Sequence, residues 1–371
     1  MPVIKPGFRL RPGTKGASSY APPGSVADRL ADLAPPRSNP GNLRGRYYVP
    51  QGLEGPAPLV VVLHGCTQNA AIYDHGSGWS ALADRLGFVL LFPEQDRANN
   101  PMLCFNWFSD GDTARGRGEA ASIRAMIDGM GAVHPIDPAK IFVTGLSAGG
   151  AMASAMLAAY PEVFAAGAIL AGLPYGCASS AQEAFEVMGG RTRVDPASLA
   201  ARVRAASPHK GPWPRVQIWQ GGGDSTVVPA NADAIARQWT DLHRLPVAPN
   251  AQGKLGRAAV RTWSTPDGTA MVEQYAVPGM AHGVPIDAKA GGHAGAHMLD
   301  VGIDSTARIA AFFGIAEAKR IAAAPPAERA APSPAKALTP TVAPEPAQPQ
   351  PAAEGVQAVI ENALRAAGLM R

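Results

Sequence analysis

The segment that most limits how this chain can fold is Lys140–Met152, which reads K-I-F-V-T-G-L-S-A-G-G-A-M. Its β-branched and aromatic start, Ile141–Thr144, predicts a buried strand. Gly145-Leu146-Ser147-Ala148-Gly149 follows at once, and the small-residue run Gly150–Tyr160 predicts a helix directly behind it. A turn this sharp brings strand and helix backbones together, and side chains at 145 and 149 would block that approach. Ser147 would sit in a strained conformation with its hydroxyl exposed. The first N–H groups of the helix would point at the same spot. A nucleophilic serine needs this geometry, because negative charge develops on the attacked carbonyl oxygen beside it. Glycine and serine are common in loops, so the flanking strand and helix are what give the pentapeptide meaning.

The rest of the chain supplies a frame for such a turn. Arg44–Val49 reads as an edge strand. Leu59–Leu63, five consecutive apolar residues, reads as a central parallel strand covered on both faces. Phe88–Phe92 reads as the next buried strand, and Phe164–Leu170 and Val216–Trp219 as further strands. Trp79–Leu86, Glu119–Met130, Asn231–Leu242 and Ser305–Phe313 read as helices. Ala259–Ser264 and Ala270–Val277 suit a hairpin around Pro266-Asp267-Gly268, while Leu245–Ala258 and 284–299 read as loops. Regular alternation of strand and helix predicts an α/β fold, a doubly wound, mostly parallel sheet with helices on both faces. Pro174–Pro214, with a helix candidate at Ala197–Ala205, interrupts the pattern and reads as a small cap insertion.

The predicted catalytic domain covers residues 42–314. Residues 1–41 read as an extended arm with one short helix at Val26–Leu33. Residues 315–352 are dominated by Ala and Pro and read as a flexible linker. In 353–371 the apolar residues Val356, Val359, Ile360, Ala363, Leu364 and Ala367 fall along one side of an amphipathic helix.

Composition excludes several classes of function. The formal charge is only +4, and no run of Lys or Arg is interleaved with aromatics, so nothing suggests a nucleic-acid partner. No stretch approaches the roughly 20 apolar residues of a membrane span. The charged amino terminus is not a secretory signal. The expected location is therefore cytoplasmic. Three cysteines do not make a disulfide framework.

In a doubly wound sheet the chemistry lies at the carboxyl ends of the strands. Asp224 follows one later strand after three glycines, and His282 follows the last strand in a Gly-rich turn. Ser147, Asp224 and His282 thus stand in the chain order of the α/β-hydrolase triad. His282 would be the base and Asp224 its orienting acid. Asp233 and Asp241 fall mid-helix and read as solvated. His243 ends a helix, where it could interact favourably with the carboxyl end. His293 and His297 are four apart and could share a face toward a metal, but the intervening glycines oppose a helix and no third ligand is evident. No metal and no cofactor are expected. Ala148 and Cys66 are the expected backbone oxyanion donors, and His64 reads as a buried histidine bracing that loop.

These motifs resemble the catalytic domain of the poly(3-hydroxybutyrate) depolymerase family of esterases, a branch similar to some feruloyl and acetylxylan esterases. The resemblance rests on L-H-G-C-T-Q (63–68), F-P-E-Q-D (92–96), C-F-N-W-F (104–108), G-L-S-A-G-G-A-M (145–152), A-G-L-P-Y-G-C-A (171–178), G-G-D-S-T-V-V-P (222–229) and P-G-M-A-H-G (278–283). It implies an α/β-hydrolase, the same triad, and proximity of Cys66 and Cys104, either as a disulfide or as two adjacent thiols. It implies hydrolysis of 3-hydroxyalkanoate esters, with feruloyl or acetylxylan-type ester cleavage as the alternative. A non-catalytic granule- or partner-binding protein is the third reading.

Phe105, Trp107, Phe108, Tyr175 and Trp213 are candidates for substrate contact, each of which could instead be core. Secreted relatives carry a signal peptide and a polymer-gripping domain. Their lack in this sequence favours soluble oligomers or amorphous intracellular polyester. The 353–371 helix would then either touch a granule or protein partner or pack back on the domain.

Overall fold

The computed structural model describes residues 28–192 and 195–315. The arm residues 1–27, the linker beyond 315 and the 353–371 helix lie outside the described residues. In chain order the elements are β1 (Ala31–Leu33), β2 (Arg44–Tyr48), β3 (Ala57–Leu63), α1 (Ala70–Ser77), α2 (Trp79–Leu86), β4 (Val89–Glu94), α3 (Asp110–Thr113), α4 (Gly118–Val133), β5 (Ile136–Leu146) and α5 (Ala148–Ala159). There follow β6 (Ala166–Leu170), α6 (Ala181–Met188), α7 (Pro196–Ala205), β7 (Arg215–Gly221), α8 (Ala230–Leu242), β8 (Ala251–Leu255), β9 (Ala258–Ser264), β10 (Ala270–Val277), β11 (Val284–Ile286), β12 (Met298–Asp300) and α9 (Ser305–Phe312).

The main sheet has the order β1-β2-β4-β3-β5-β6-β7-β10-β9-β8. Strands β4 through β10 in that order are parallel, and antiparallel pairs close both edges. This is the doubly wound sheet expected from the alternating pattern. The continuous apolar run of β3 is buried on both faces. Leu59, Val61 and Leu63 enter a core with α4, α5 and α8, while Val60 and Val62 enter a second core with α1, α2 and α9. A third, smaller cluster seats the cap: Phe185 and Met188 of α6 and Leu199 of α7 pack on Leu173 and Val227.

The short helix expected at Val26–Leu33 is not formed in its described part. Ala31–Leu33 is instead an edge strand, with Ala31 opposite Tyr47 and Leu33 opposite Gly45. The open edge of β2 offers backbone partners that an isolated single-turn helix cannot match. Arg46 secures the pairing by bonding Asp28 at 2.8 Å and Asp32 at 2.9 Å. Gly45 leaves room for the Leu33 side chain.

The expected loop 245–258 contains β8, whose mostly exposed residues carry no alternating signal and depend on β9 for pairing. The loop-like 284–299 holds the short parallel pair β11–β12. Helix α1, not anticipated, is capped by Asn69, whose Oδ1 accepts the Ile72 N–H at 2.8 Å. Among the described residues no helix is long and apolar enough to cross a membrane.

The turn between β5 and α5 is as tight as its glycines suggest. A Cβ on Gly149 would lie 2.3 Å from the Leu63 carbonyl oxygen and 2.5 Å from that of His64. One on Gly145 would lie 2.4 Å from the Gly149 carbonyl carbon. Backbone cannot yield as a flexible side chain can, so Gly149→Ala should destabilise the protein by about 1–3 kcal/mol, the usual cost of overpacking. Urea unfolding of the purified variant measures this, and an unchanged midpoint would contradict the contact.

Candidate active site

Ser147 occupies the turn itself, at φ 57° and ψ −117°, a left-handed conformation that a side chain tolerates only under constraint. Its N–H donates to the Leu170 carbonyl at 2.9 Å, tying the turn to the neighbouring strand β6. Helix α5 starts at the next residue, so its first N–H groups open beside the serine. Among the described residues the Ser147 hydroxyl has no hydrogen-bond partner.

Asp224 and His282 come from the ends of β7 and β10, adjacent parallel strands. Their loops pack backbone to backbone. A Cβ on Gly221 would lie 2.3 Å from the Met280 carbonyl oxygen, and the Gly222 and Gly223 N–H groups donate to Val277 and Met280 at 2.8 and 2.9 Å. Asp224 Oδ1 accepts the N–H groups of Thr226 and Val227, both at 2.9 Å. Its Oδ2 accepts from Gln220 Nε2 at 3.1 Å and from His282 Nδ1 at 2.8 Å. A carboxylate can only accept, so that last bond places a proton on Nδ1. The Asp224 side chain is wholly buried and that of His282 is 8% exposed.

The other polar candidates lie elsewhere. Asp233 pairs with Arg261, and Asp241 with Arg204. His243 is buried, which pushes its pKa down to about 4, and Nε2–H donates to the Pro214 carbonyl at 3.1 Å. It is thus a neutral donor and not a positive charge at its helix end. His293 stacks on His75, with ring centroids 4.1 Å apart. His297 instead lies against His282 and bonds its carbonyl through Nδ1 at 3.2 Å. Burial lowers the His297 pKa. Among the described residues no group of three or more His, Cys, Asp or Glu side chains could hold a metal ion.

Beyond β3 the loop His64-Gly65-Cys66 runs beside the serine. His64 is buried, which lowers its pKa. Its Nε2 accepts the Gln95 N–H at 3.1 Å, so Nδ1–H donates to the Gly65 carbonyl at 2.8 Å. It braces the loop, as its sequence context suggests. Cys66 and Cys104 form a disulfide. Among the described residues the Cys66 N–H has no acceptor. It and the Ala148 N–H therefore remain available, and both residues line one cavity with Ser147. Cys177 is a buried free thiol whose pKa burial pushes up to about 12.

That cavity is narrow, about 50 Å³, with Met102, Trp107, Phe108, Leu173, Phe185 and Met188 forming most of its apolar wall. Trp107 and Phe108 are therefore at the site, packed edge to face. The other three expected aromatics are not in this wall. Phe105 is fully buried and packs against the His64 ring at 5.0 Å, because its tied neighbours direct it inward. Tyr175 lines an adjoining groove that shares Trp107 with this cavity, and its backbone is held by Gln238. Trp213 packs on His209 in another groove, beyond the opposite end of β7. Sequence reasoning missed Phe185 and Met188. The spacing of Ala181, Ala184, Phe185 and Met188 at one helical face of the cap was the available signal.

Sequence reasoning also missed Glu119. It lies on α4, 1% exposed, and among the described residues no cation is bonded to it. Its carboxyl accepts Gln95 Nε2 at 2.5 Å, Asn106 Nδ2 at 2.8 Å and the Asn106 N–H at 2.9 Å. Burial is the largest influence and pushes its pKa up to about 8, against the pull of those donors; Asp112 adds to the rise.

The sheet, the serine at its elbow and the buried acid–histidine pair define an α/β-hydrolase of the carboxylic ester hydrolase class. The chain belongs to the Esterase PHB depolymerase family, whose profile matches residues 44–259. Over 283 residues it is 45% identical to poly(3-hydroxyalkanoate) depolymerase C of Paucimonas lemoignei, covering 75% of this chain and 68% of that one. An acetylxylan esterase of Coprinopsis cinerea is 31% identical over 266 residues, 70% of each chain. Among solved structures, the acetyl xylan esterase from Aspergillus awamori superposes with a TM-score of 0.66 at 25% identity, covering 77% of this chain and 99% of that one.

Glu119 makes a pH-dependent contribution to stability. The unfolded chain releases this proton near 4.5 and the folded chain near 8. Between those values the folded state holds more protons, so its stability falls as pH rises. The unfolding free energy of the wild type minus that of Glu119→Gln should therefore drop across this window, by at most about 1.4 kcal/mol per pH unit, and level off above it. Urea unfolding at stepped pH measures the difference. A constant difference would contradict the buried, unpaired acid.

Proposed function

We propose that the protein is a serine esterase that cleaves 3-hydroxyalkanoate esters, namely 3-hydroxybutyrate oligomers or amorphous poly(3-hydroxybutyrate), with Ser147, Asp224 and His282 as its triad. The observation that carries this reading is the narrow apolar cavity against Ser147, with two free backbone donors on its wall. It suits a short, methyl-branched acyl group. The 45% identity to a poly(3-hydroxyalkanoate) depolymerase supports the same substrate class.

His282 Nε2 takes the Ser147 proton as Oγ attacks the ester carbonyl. The Ala148 and Cys66 N–H groups receive the oxyanion, where such donors contribute most. Asp224 holds Nδ1–H in place and stabilises the imidazolium. The imidazolium then protonates the departing alcohol, leaving an acyl-serine. Water, deprotonated by His282, releases the hydroxy acid by the same route.

Cleavage of acetyl esters is the second reading, favoured by the same small cavity and by the acetylxylan esterase relatives. A non-catalytic role would need a broken triad, and all three members are present. The Cys66–Cys104 bridge argues for an oxidising compartment in place of the cytoplasm expected from the amino-terminal residues. The segment 353–371 is assigned a granule or protein contact. Its removal should lower retention on amorphous granules and leave oligomer hydrolysis unchanged, as a pelleting assay beside product analysis would show.

Purified protein should release monomer or dimer from soluble 3-hydroxybutyrate oligomers. A phosphonate probe should label Ser147. Ser147→Ala should lower kcat by about 10³-fold or more. If a short aryl ester is cleaved and the oligomers are not, the triad stands and the substrate assignment falls to the acetyl esters.

A further inference from the structure

The Cys66 loop is held from two directions that meet on one buried side chain. The first is covalent: the Cys66–Cys104 bridge ties the loop to the segment 95–106. The second is a chain of hydrogen bonds. His64 donates to the Gly65 carbonyl next to Cys66 and accepts from the Gln95 N–H. Gln95 Nε2 in turn donates to the Cys104 carbonyl at 3.0 Å and to Glu119. Asn106, two residues beyond Cys104, gives Glu119 its backbone and side-chain N–H groups. The covalent tether thus ends on Cys104, whose carbonyl Gln95 holds, and the hydrogen-bonded one on Gln95 itself; Glu119 binds Gln95 and Asn106 on either side of Cys104.

We propose that Glu119 is a positioning residue for the oxyanion site. From outside the cavity it fixes the segment 95–106, and through it the Cys66 N–H. This inference rests on the reading of Cys66 as an oxyanion donor. The physical reasoning is that a carboxyl buried without a cation is costly unless its hydrogen bonds are made. A packed helix such as α4 can supply that fixed acceptor where a surface loop cannot. The three donors it gathers belong to the loop it orders, so losing them frees the loop while the triad loops, on other strands, stay in place. Donors act on the transition state only when held at the oxyanion position, and small displacements there reduce kcat more than substrate binding.

The test compares wild type, Glu119→Ala and Glu119→Gln on a short-chain p-nitrophenyl ester. Rates are divided by the active sites titrated with a phosphonate probe, so that misfolded protein does not count. Glu119→Ala should lower kcat per titrated site by about 10- to 100-fold with KM little changed. The affinity of a short alkylboronic acid, whose adduct with serine mimics the oxyanion, should fall in parallel. Glu119→Gln keeps one oxygen acceptor and should lie between the two. It also carries the test if the alanine variant does not fold.

In a Cys66→Ser, Cys104→Ser background, where the loop is joined to the segment 95–106 only by hydrogen bonds, among them Thr67 N–H to the Met102 carbonyl at 2.7 Å, the Glu119→Gln loss should grow. An equal loss in both backgrounds, or an unchanged kcat per titrated site, overturns the proposal. If wild type neither cleaves the ester nor binds the boronic acid, the esterase reading itself has failed, a distinguishable result.

Discussion

The carbonyl oxygens of Leu63 and His64 lie 2.3 and 2.5 Å from the point that a Cβ on Gly149 would occupy. This contact presses the first turn of α5 onto the end of β3. It brings together two peptide groups that the chain separates by some eighty residues, the start of the Cys66 loop and the N–H of Ala148. The nucleophile and both expected oxyanion donors thus share one corner of the sheet because two glycines leave space for backbone. The strained Ser147 backbone is a consequence of the same closeness.

The acid–histidine pair uses a similar device two and three strands farther along, at the ends of β7 and β10. Gly221 lets the β7 loop lie against the carbonyls of Met280 and Ala281, and two N–H groups of that loop bond the turn leading to His282. Neither Asp224 nor His282 depends on a long flexible side chain to find the other. The remaining Asp224 lone pairs are filled by Gln220 and two backbone N–H groups, which prevents the carboxylate from rotating away. Pre-organisation of this kind carries its cost in folding, so little reorganisation is left for the reaction.

Substrate selection is built differently. The cavity wall combines the cap helix α6, the aromatic loop at 107–108 and Leu173 beyond β6. Those pieces meet only because the cap folds over the sheet edge. An aromatic residue in a loop has the same local pattern whether it turns outward into a cavity, as Trp107 does, or inward under a histidine, as Phe105 does. Composition near a catalytic motif therefore suggested aromatics of which two line the cavity. Tyr175 lies in a groove that adjoins the cavity at Trp107, and Trp213 in another groove before β7.

From the sequence alone came the central strands, whose burial on both faces demands unbroken apolar runs, and the elbow, whose glycines are needed for a local steric reason. The order of Ser147, Asp224 and His282 was readable too, because a doubly wound sheet places strand-end loops on one edge. Tertiary structure alone decided what depends on partners distant in the chain. It paired Ala31–Leu33 and Ala251–Leu255 with neighbouring strands, joined Cys66 to Cys104, and buried Glu119 beneath the loop it holds. Local preference is weak in such segments. Edge strands, buried acids and cavity walls take their state from whatever packs against them.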